Sequence, residues 1–331
     1  MGELPFESMK RKVLVRKEAD TSEKFGCCPD KRAVTELVDY GVVNVDKPKG
    51  PTSHQISAHV QQILGIKKSG HSGTLDPGVT GVLPVALGRA TRIVQLLLTA
   101  GKEYVGVMNL HKDASGEELA AAVEKFTGNI SQLPPVKSAV KRQLRQRKIY
   151  YFDVLEVDGR NVLFSVGCEA GTYIRKLCFD LGKELGTAAN MYELRRTKAG
   201  PFGEETAVAL QELADAFWYW KNEGNEKYIR KVVQPVESAI KHLPKIRVFD
   251  STVDSLAHGA NLHVPGISKI ESGIEQGQAA AVMTLKNELV CYGAAQMNSE
   301  AMLGKKGVAV KTGKVFMKTG VYPKFEKPNQ L

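Results

Sequence analysis

The spacing of apolar residues divides the first 243 residues into short strands and amphipathic helices. Apolar positions at 42, 43 and 45 predict a strand that stops before Pro48. A helix is predicted with Ser53 as its N-cap and Gly65 at its far end, because its apolar residues recur at helical spacing: Ile56, Val60, Ile63 and Leu64. The same reasoning predicts strands at 82–87, 104–108, 150–157, 161–166 and 191–196, and helices at 90–99, 117–126, 172–185 and 210–220. Pro84 favours an edge strand or a bulge for 82–87, and Asp158-Gly159-Arg160 predicts a hairpin turn.

The pattern changes at Pro244, after which short strand-like segments alternate with glycines. Several short strands separated by turn signals are typical of a small β-barrel. The chain is therefore predicted to be an α+β protein with a mixed, largely antiparallel sheet flanked by helices and a small C-terminal barrel. Its expected divisions are a charged N-terminal extension (1–36), a central domain (37–243) and a C-terminal domain (244–331).

Composition narrows the class of protein. With 331 residues, 43% of them hydrophobic, the chain is long enough for two cores, and its net charge of +10 indicates polyanionic partners. No apolar run approaches the roughly 20 residues of a membrane span, and the first residues lack a secretory apolar segment. The five cysteines form no Cys-x-x-Cys pair, so neither a disulfide framework nor a metal site is predicted, and a reducing intracellular compartment is favoured.

A basic segment at 134–148 begins with a double proline and contains no acidic residue. Its cations are Lys137, Lys141, Arg142, Arg145, Arg147 and Lys148. Such a run is either a solvated face or a protruding basic hairpin that clamps a phosphate backbone.

The segment at 69–77 contains a histidine, His71, and an acid, Asp76, together with two glycines and a proline. Asp76-Pro77-Gly78 predicts a turn, since proline fixes one backbone dihedral and glycine frees the next. Asp76 is then either an ordinary turn residue or a carboxylate held out toward a substrate.

Six separated segments resemble the pseudouridine synthases of the TruB and dyskerin kind, and the resemblance extends over roughly residues 37–323. They are 46–53 (DKPKGPTS), 70–92 (GHSGTLDPGVTGVLPVALGRATR), 101–104 (GKEY), 134–142 (PPVKSAVKR), 171–177 (GTYIRKL) and 193–196 (ELRR). The fourth and the last resemble the dyskerin branch more than the bacterial one. Residues 258–266 (HGANLHVPG) resemble the signature of a PUA domain, an RNA-binding barrel, and make His258 and Gly259 candidate RNA contacts.

The resemblance implies that Asp76 is the catalytic residue of an isomerisation, which needs no redox cofactor or energy source. Arg175 is its implied partner, Tyr104 holds the extruded base, and further pocket roles fall to Tyr173, Leu194, His71 and Lys47. Each has an ordinary alternative: a surface arginine for Arg175, and packing for the apolar and aromatic residues. The resemblance also implies that 134–148 is a flexible thumb loop and that residues 1–36 pack on the PUA domain.

At the level of function, the resemblance implies RNA-guided conversion of uridine to pseudouridine in rRNA, with tRNA as a further substrate class, by the catalytic subunit of an archaeal H/ACA ribonucleoprotein. Its implied partners are guide RNA, substrate RNA, a small zinc-binding subunit, a glycine/arginine-associated subunit at the thumb loop and a kink-turn-binding ribosomal-type protein, with no membrane. The implied location is the cytoplasm, or the nucleolus for a eukaryotic source. A stand-alone tRNA enzyme and a non-catalytic RNA-binding scaffold are the alternatives.

Overall fold

A computed structural model describes residues 2–134, 141–304 and 306–324 of the chain. The strands of these residues are β1 Val13–Val15, β2 Gly41–Lys47, β3 Ser69–His71, β4 Thr80–Leu87, β5 Lys102–Leu110, β6 Gly128–Gln132, β7 Arg145–Asp158, β8 Asn161–Cys168, β9 Ala189–Ala199, β10 Phe202–Gly203, β11 Gln234–Pro235, β12 Lys245–Val248, β13 Leu262–His263, β14 Ile267–Glu271, β15 Ala279–Met283, β16 Leu289–Ala295 and β17 Val308–Val315. The helices are α1 Val34–Tyr40, α2 Ser53–Leu64, α3 Val94–Thr99, α4 Gly116–Lys125, α5 Ile174–Glu184, α6 Leu210–Glu223, α7 Glu226–Val232, α8 Asp250–Ala257 and α9 Ala301–Gly304.

The residues fall into two compact units. The first comprises the residues up to Ser8, Val43–Ala86 and Ile93–Val232, and the second comprises Met9–Val42, Leu87–Arg92 and the described residues from Val233 onward. The predicted domain limits, 36/37 and 243/244, lie 6 and 11 residues from the changes of unit at 42/43 and 232/233, and the predicted domains stay a prediction. No helix in the described part of the chain has both the length and the apolar character needed to cross a bilayer.

The first unit is built on a mixed sheet in the order β2-β4-β9-β5-β8-β7-β6, with β3 added to β4 and β10 to β9. β4 runs parallel to β9, whereas β5 is antiparallel to both β8 and β9, and β7 is antiparallel to β6 and β8. Its core joins apolar residues of the sheet to those of α4 and α5, such as Phe164, Leu119 and Leu177. The predicted α+β class and largely antiparallel sheet are confirmed.

The second unit contains a seven-stranded sheet in the order β1-β14-β12-β15-β16-β17-β13. The N-terminal strand β1 pairs antiparallel with β14, so part of the charged N-terminal extension completes this sheet. Residues nearer the N-terminus belong to the other unit, where Leu4 is fully buried. The core of the second unit is formed by its own strands and α8.

Several local predictions need correction. Thr52, rather than Ser53, caps α2, through a reciprocal pair of hydrogen bonds with Gln55. Pro84 does not mark an edge strand, because β4 lies between β2 and β9 in the sheet. The basic segment is not one loop: Arg145, Arg147 and Lys148 belong to strand β7. Lys137 lies outside the described residues, as do the other residues of 135–140.

Candidate active site

The turn that presents Asp76 is held by its main chain on both sides. The Val79 amide donates to the Asp76 carbonyl at 3.0 Å, which closes the turn. Ahead of it, the Ser53 hydroxyl at the start of α2 accepts from the Leu75 amide at 2.8 Å. Leu75 and Val79 are both buried in the core of the unit. Because these neighbours are anchored, the Asp76 side chain is left half exposed at the surface of the turn.

Lys47 lies beneath the same turn and is fully buried. Its ammonium donates to the carbonyls of Val79 at 2.7 Å, Pro48 at 3.0 Å and Pro77 at 3.3 Å. Burial lowers the Lys47 pKa, and the nearby Asp76 charge acts in the opposite direction. Lys47 therefore holds the buried side of the turn through these hydrogen bonds, and its side chain does not point into solvent.

Arg175 reaches Asp76 from the first turn of α5 and forms an ion pair with its carboxylate. Both side chains are more than half exposed, so the pair is accessible to a ligand. The helix start is held by Gln132, which accepts from the Tyr173 amide at 3.0 Å and donates to the Tyr173 carbonyl at 3.3 Å. Two segments 99 positions apart in sequence are thus joined at one point.

The apolar residues next to this ion pair belong to one core. Leu194 on β9 is buried in it together with Leu75 and Ile174, and Tyr104 on β5 packs against it. The strands approach closely, since a Cβ atom on Gly106 would lie 2.8 Å from the Leu194 side chain. Burial raises the pKa of the Tyr104 phenol, so that this ring is neutral at physiological pH. Asp76 and Arg175 therefore border a wall that contains apolar and aromatic side chains.

The remaining two pocket candidates stand in different settings. Tyr173 is half-buried directly before α5, two residues from Arg175. His71 lies at the end of β3, with its ring edge-on to His54 at a centroid distance of 4.8 Å. Burial, His54 and Arg196 lower the His71 pKa, and its buried Nδ1 has no hydrogen-bond partner among the described residues. The imidazole is therefore neutral near pH 7.

Sequence reasoning missed two buried polar residues of the site. Gln132 precedes the double proline, and nothing in its local pattern distinguishes it from an ordinary strand residue. Arg196 is part of the ELRR segment, and the structure shows that it is 1% exposed and bonds to the backbone of two segments of the site. Burial of an arginine depends on tertiary structure, so its sequence position carried no signal.

The candidate RNA contacts lie in both units. Lys141, Arg142 and Lys148 are exposed, whereas Arg147 is largely buried and bonded to the Gln146 carbonyl at 2.9 Å. In the second unit, His258 follows α8 and its Nδ1 lies 2.8 Å from the Asp254 carbonyl. Gly259 has a φ of +92°, a conformation that favours glycine. A local backbone role accounts for Gly259, and its RNA contact stays a prediction.

Four family models match consecutive parts of the chain. They are the DKCLD (NUC011) domain at residues 2–57, the TruB family pseudouridylate synthase N-terminal domain at 61–174, the tRNA pseudouridylate synthase B C-terminal domain at 175–241, and the PUA domain at 244–316. The two TruB models contain Asp76, Tyr104 and Arg175.

Relatives match almost the whole chain. The probable tRNA pseudouridine synthase B of Methanopyrus kandleri is 52% identical, over 97% of this chain and 95% of that protein. A crystal structure of a Cbf5-Nop10-Gar1 complex contains a chain that is 52% identical and superimposes with a TM-score of 0.93, covering 98% of this chain and 99% of that one. A structure of an H/ACA RNP bound to a substrate RNA containing 2'-deoxyuridine matches at 49% identity and a TM-score of 0.91, covering 97% and 99%. At such identity over nearly its full length, the chain belongs to the TruB family and is a pseudouridine synthase with a PUA domain.

Proposed function

We propose that this chain is the catalytic subunit of an RNA-guided enzyme that converts uridine to pseudouridine in rRNA, with Asp76 as its catalytic residue. The observation that carries the proposal is the ion pair between Asp76 and Arg175, which stands half exposed beside an apolar wall. The pair orients the carboxylate, because a guanidinium binds carboxylate oxygens in a fixed plane. The exposure leaves that carboxylate open to an incoming nucleoside.

The reaction is an isomerisation, so its atoms must balance within one nucleoside. The bond from uracil N1 to ribose C1′ breaks and its electron pair stays with the base. The base turns, C5 bonds to C1′, the C5 proton is lost and N1 gains a proton. A carboxylate such as Asp76 can act in this sequence as a nucleophile or as a base.

A uridine within structured RNA must leave its stack before this chemistry can occur. We assign the support of the extruded base to Tyr104, Leu194 and Tyr173, because flat and apolar side chains stack on bases. Lys47 holds the catalytic turn from below through three carbonyls. His71, neutral near pH 7, is placed to meet RNA next to the turn without adding positive charge.

The partners follow from the neighbours. Structures named for Cbf5, Nop10 and Gar1, and for an H/ACA RNP with substrate RNA, contain chains that match this one almost end to end. We therefore propose as partners guide RNA, substrate RNA, a small zinc-binding subunit, a glycine/arginine-associated subunit and a kink-turn-binding ribosomal-type protein. The cations Lys141, Arg142, Arg145 and Lys148, on β7 and just before it, are proposed to contact the RNA. Since the matched relatives are archaeal, we place the particle in the cytoplasm.

Stand-alone modification of tRNA is the second candidate, because the curated relatives are called probable tRNA pseudouridine synthase B. A non-catalytic RNA scaffold is disfavoured, since a scaffold has no need of an accessible carboxylate paired with an arginine.

Conversion of one defined uridine separates these candidates. The purified chain is incubated with substrate RNA, with and without guide RNA and the small subunits, and with an unguided tRNA transcript. Guide-dependent product in the rRNA fragment supports the proposal. Product in tRNA alone, without guide RNA, would establish the stand-alone enzyme. If Asp76→Ala still forms both products, Asp76 is not the catalytic residue.

A further inference from the structure

Arg196 is a buried cation that the proposed reaction does not yet use. It lies on β9 with 1% of its surface exposed, and no carboxylate of the described chain is within ion-pair distance of it. The adjacent Arg195, in contrast, pairs with Asp46 at 2.9 Å and with Glu204 at 2.5 Å. Burying a charged group without a counterion is costly, so the position of Arg196 calls for an explanation.

The donors of Arg196 go to the main chain around the candidate active site. Its Nε donates to the Val82 carbonyl at 2.8 Å, and its Nη2 donates to the Gly73 carbonyl at 3.3 Å. Gly73 lies three residues before Asp76, and the guanidinium also interacts with the Tyr104 phenol. The strands meet closely here, because a Cβ atom on Gly81 would lie 2.2 Å from the Arg196 carbonyl oxygen. One side chain thus bonds to the loop that carries Asp76 and to strand β4.

Two further buried basic side chains accompany Arg196. Lys47 bonds to three carbonyls beneath the Asp76 turn, and Lys102 bonds to the carbonyls of Leu97, Leu98 and Ala100 at 2.7–3.0 Å. Burial is the largest cause that lowers the pKa of Lys47 and of Lys102, and the Arg196 charge is the second largest. The pKa of Lys102 is lowered to about 7. Asp76 is the carboxylate whose charge raises the Lys47 pKa. Two basic side chains, Arg196 and Lys47, therefore lie on the buried side of the turn, and the Asp76 carboxylate lies on its exposed side.

We propose that Arg196 is a positioning residue for the isomerisation: it holds the carbonyls of Gly73 and Val82 in place, and its charge stabilises negative charge in the site. This inference rests on the proposed function. When the N1–C1′ bond breaks with its electron pair on uracil, the detached base is an anion. A fixed cation in a water-poor setting stabilises such charge more strongly than the same cation in water.

Three substitutions separate the charge of Arg196 from its packing: Arg196→Lys keeps the charge, Arg196→Gln keeps donors to the carbonyls, and Arg196→Met keeps only bulk. We measure the single-turnover rate at saturating RNA, the RNA dissociation constant and the free energy of unfolding, each in the assembled particle. The Gln and Met variants should react about 100-fold more slowly, with RNA affinity within about threefold. The Lys variant should lose less than about tenfold.

Arg32→Met is the matched control, because Arg32 is also a buried arginine but belongs to the second unit and pairs with Glu237 at 2.7 Å. It should lower the free energy of unfolding while the rate at saturating RNA stays within about twofold. If Arg196→Met does not fold, the Gln and Lys variants decide the question, since they differ in charge.

The inference is overturned if Arg196→Gln keeps the wild-type rate, or if the Lys and Gln variants lose rate equally. Asp76→Asn is run in parallel to test the proposed function itself. An active Asp76→Asn refutes the proposed function, whereas an inactive Asp76→Asn with a fully active Arg196→Gln refutes only the role of Arg196.

Discussion

At the scale of single residues, the site depends on side chains that hold backbone in place. Three side chains form hydrogen bonds to main-chain atoms near Asp76 or Arg175: Lys47, Ser53 and Gln132. The proposed reactive pair, Asp76 and Arg175, is by comparison exposed, and its two side chains are bonded to each other. Buried neighbours therefore fix the positions of the two paired side chains. Substitutions at those neighbours should slow the reaction even though they remove no group that touches substrate.

Gln132→Leu tests this dependence at the start of α5. Loss of both hydrogen bonds to Tyr173 should lower the free energy of unfolding by about 1–2 kcal/mol. It should also slow single-turnover conversion roughly tenfold, because small displacements of positioned groups are costly to rate.

Gln146→Leu is the control for Gln132→Leu. Gln146 is exposed on the neighbouring strand β7 and donates to the Ser131 hydroxyl at 2.8 Å. Its loss should leave the rate unchanged. Equal rates for the two variants would mean that the Gln132 contact does not position Arg175.

His71 makes the free energy of unfolding depend on pH in a direction that can be predicted. Burial lowers its pKa below the usual value of 6.5, so between the two values the unfolded chain binds more protons than the folded one. Stability then rises with pH in that window and falls as the pH drops below 6.5. His71→Gln removes this contribution, so the wild type should lose more free energy of unfolding than the variant between pH 7 and pH 5. Parallel stability curves in urea titrations would contradict it.

At the scale of elements, local signals were reliable where a single residue determines backbone geometry. Gly65 ends α2 in a left-handed conformation, and Gly159, with a φ of +55°, sits in the loop between β7 and β8. The start of α2 was wrong by one residue because Ser53, a good capping residue, is used instead to bond Leu75. That choice depends on a segment more than twenty residues away, which local reasoning cannot include.

The basic segment shows the same limit. Its charges are visible in the sequence, but their division between residues that precede β7 and residues within β7 is set by pairing with β6 and β8. Exposed cations on this approach remain the candidates for contact with RNA phosphates, whereas Arg147 is engaged by the protein itself.

Neutralising Lys141, Arg142 and Arg145 to glutamine should reduce the salt dependence of substrate RNA binding. Each lost phosphate contact lowers the slope of log affinity against log salt by about 0.7–0.9, so three contacts would lower it by roughly two to three. The matched control neutralises Lys221, Lys227 and Lys231 on α6 and α7, which removes the same charge elsewhere. Equal slope changes for both triple variants, measured by filter binding, would assign the effect to net charge alone.

At the scale of the whole molecule, the family, the fold class and the enzyme activity followed from the sequence because six separated motifs resembled one family. The spacing of the motifs along the sequence did not predict how they come together in the fold. The strand order β2-β4-β9-β5 and the position of α5 bring together residues 47, 76, 104 and 175. The buried supports Gln132 and Arg196 became visible only once burial was known. Packing, rather than residue type, identifies them.

The measurement that tests the central claim most directly is conversion of one guided uridine by the assembled particle, comparing wild type with Asp76→Asn. The substitution keeps the shape of the side chain and removes its charge. We expect conversion to slow at least about a thousandfold, while substrate RNA affinity stays within about threefold because one charge is a small part of a basic interface. An Asp76→Asn particle that forms pseudouridine at the wild-type rate would contradict the account.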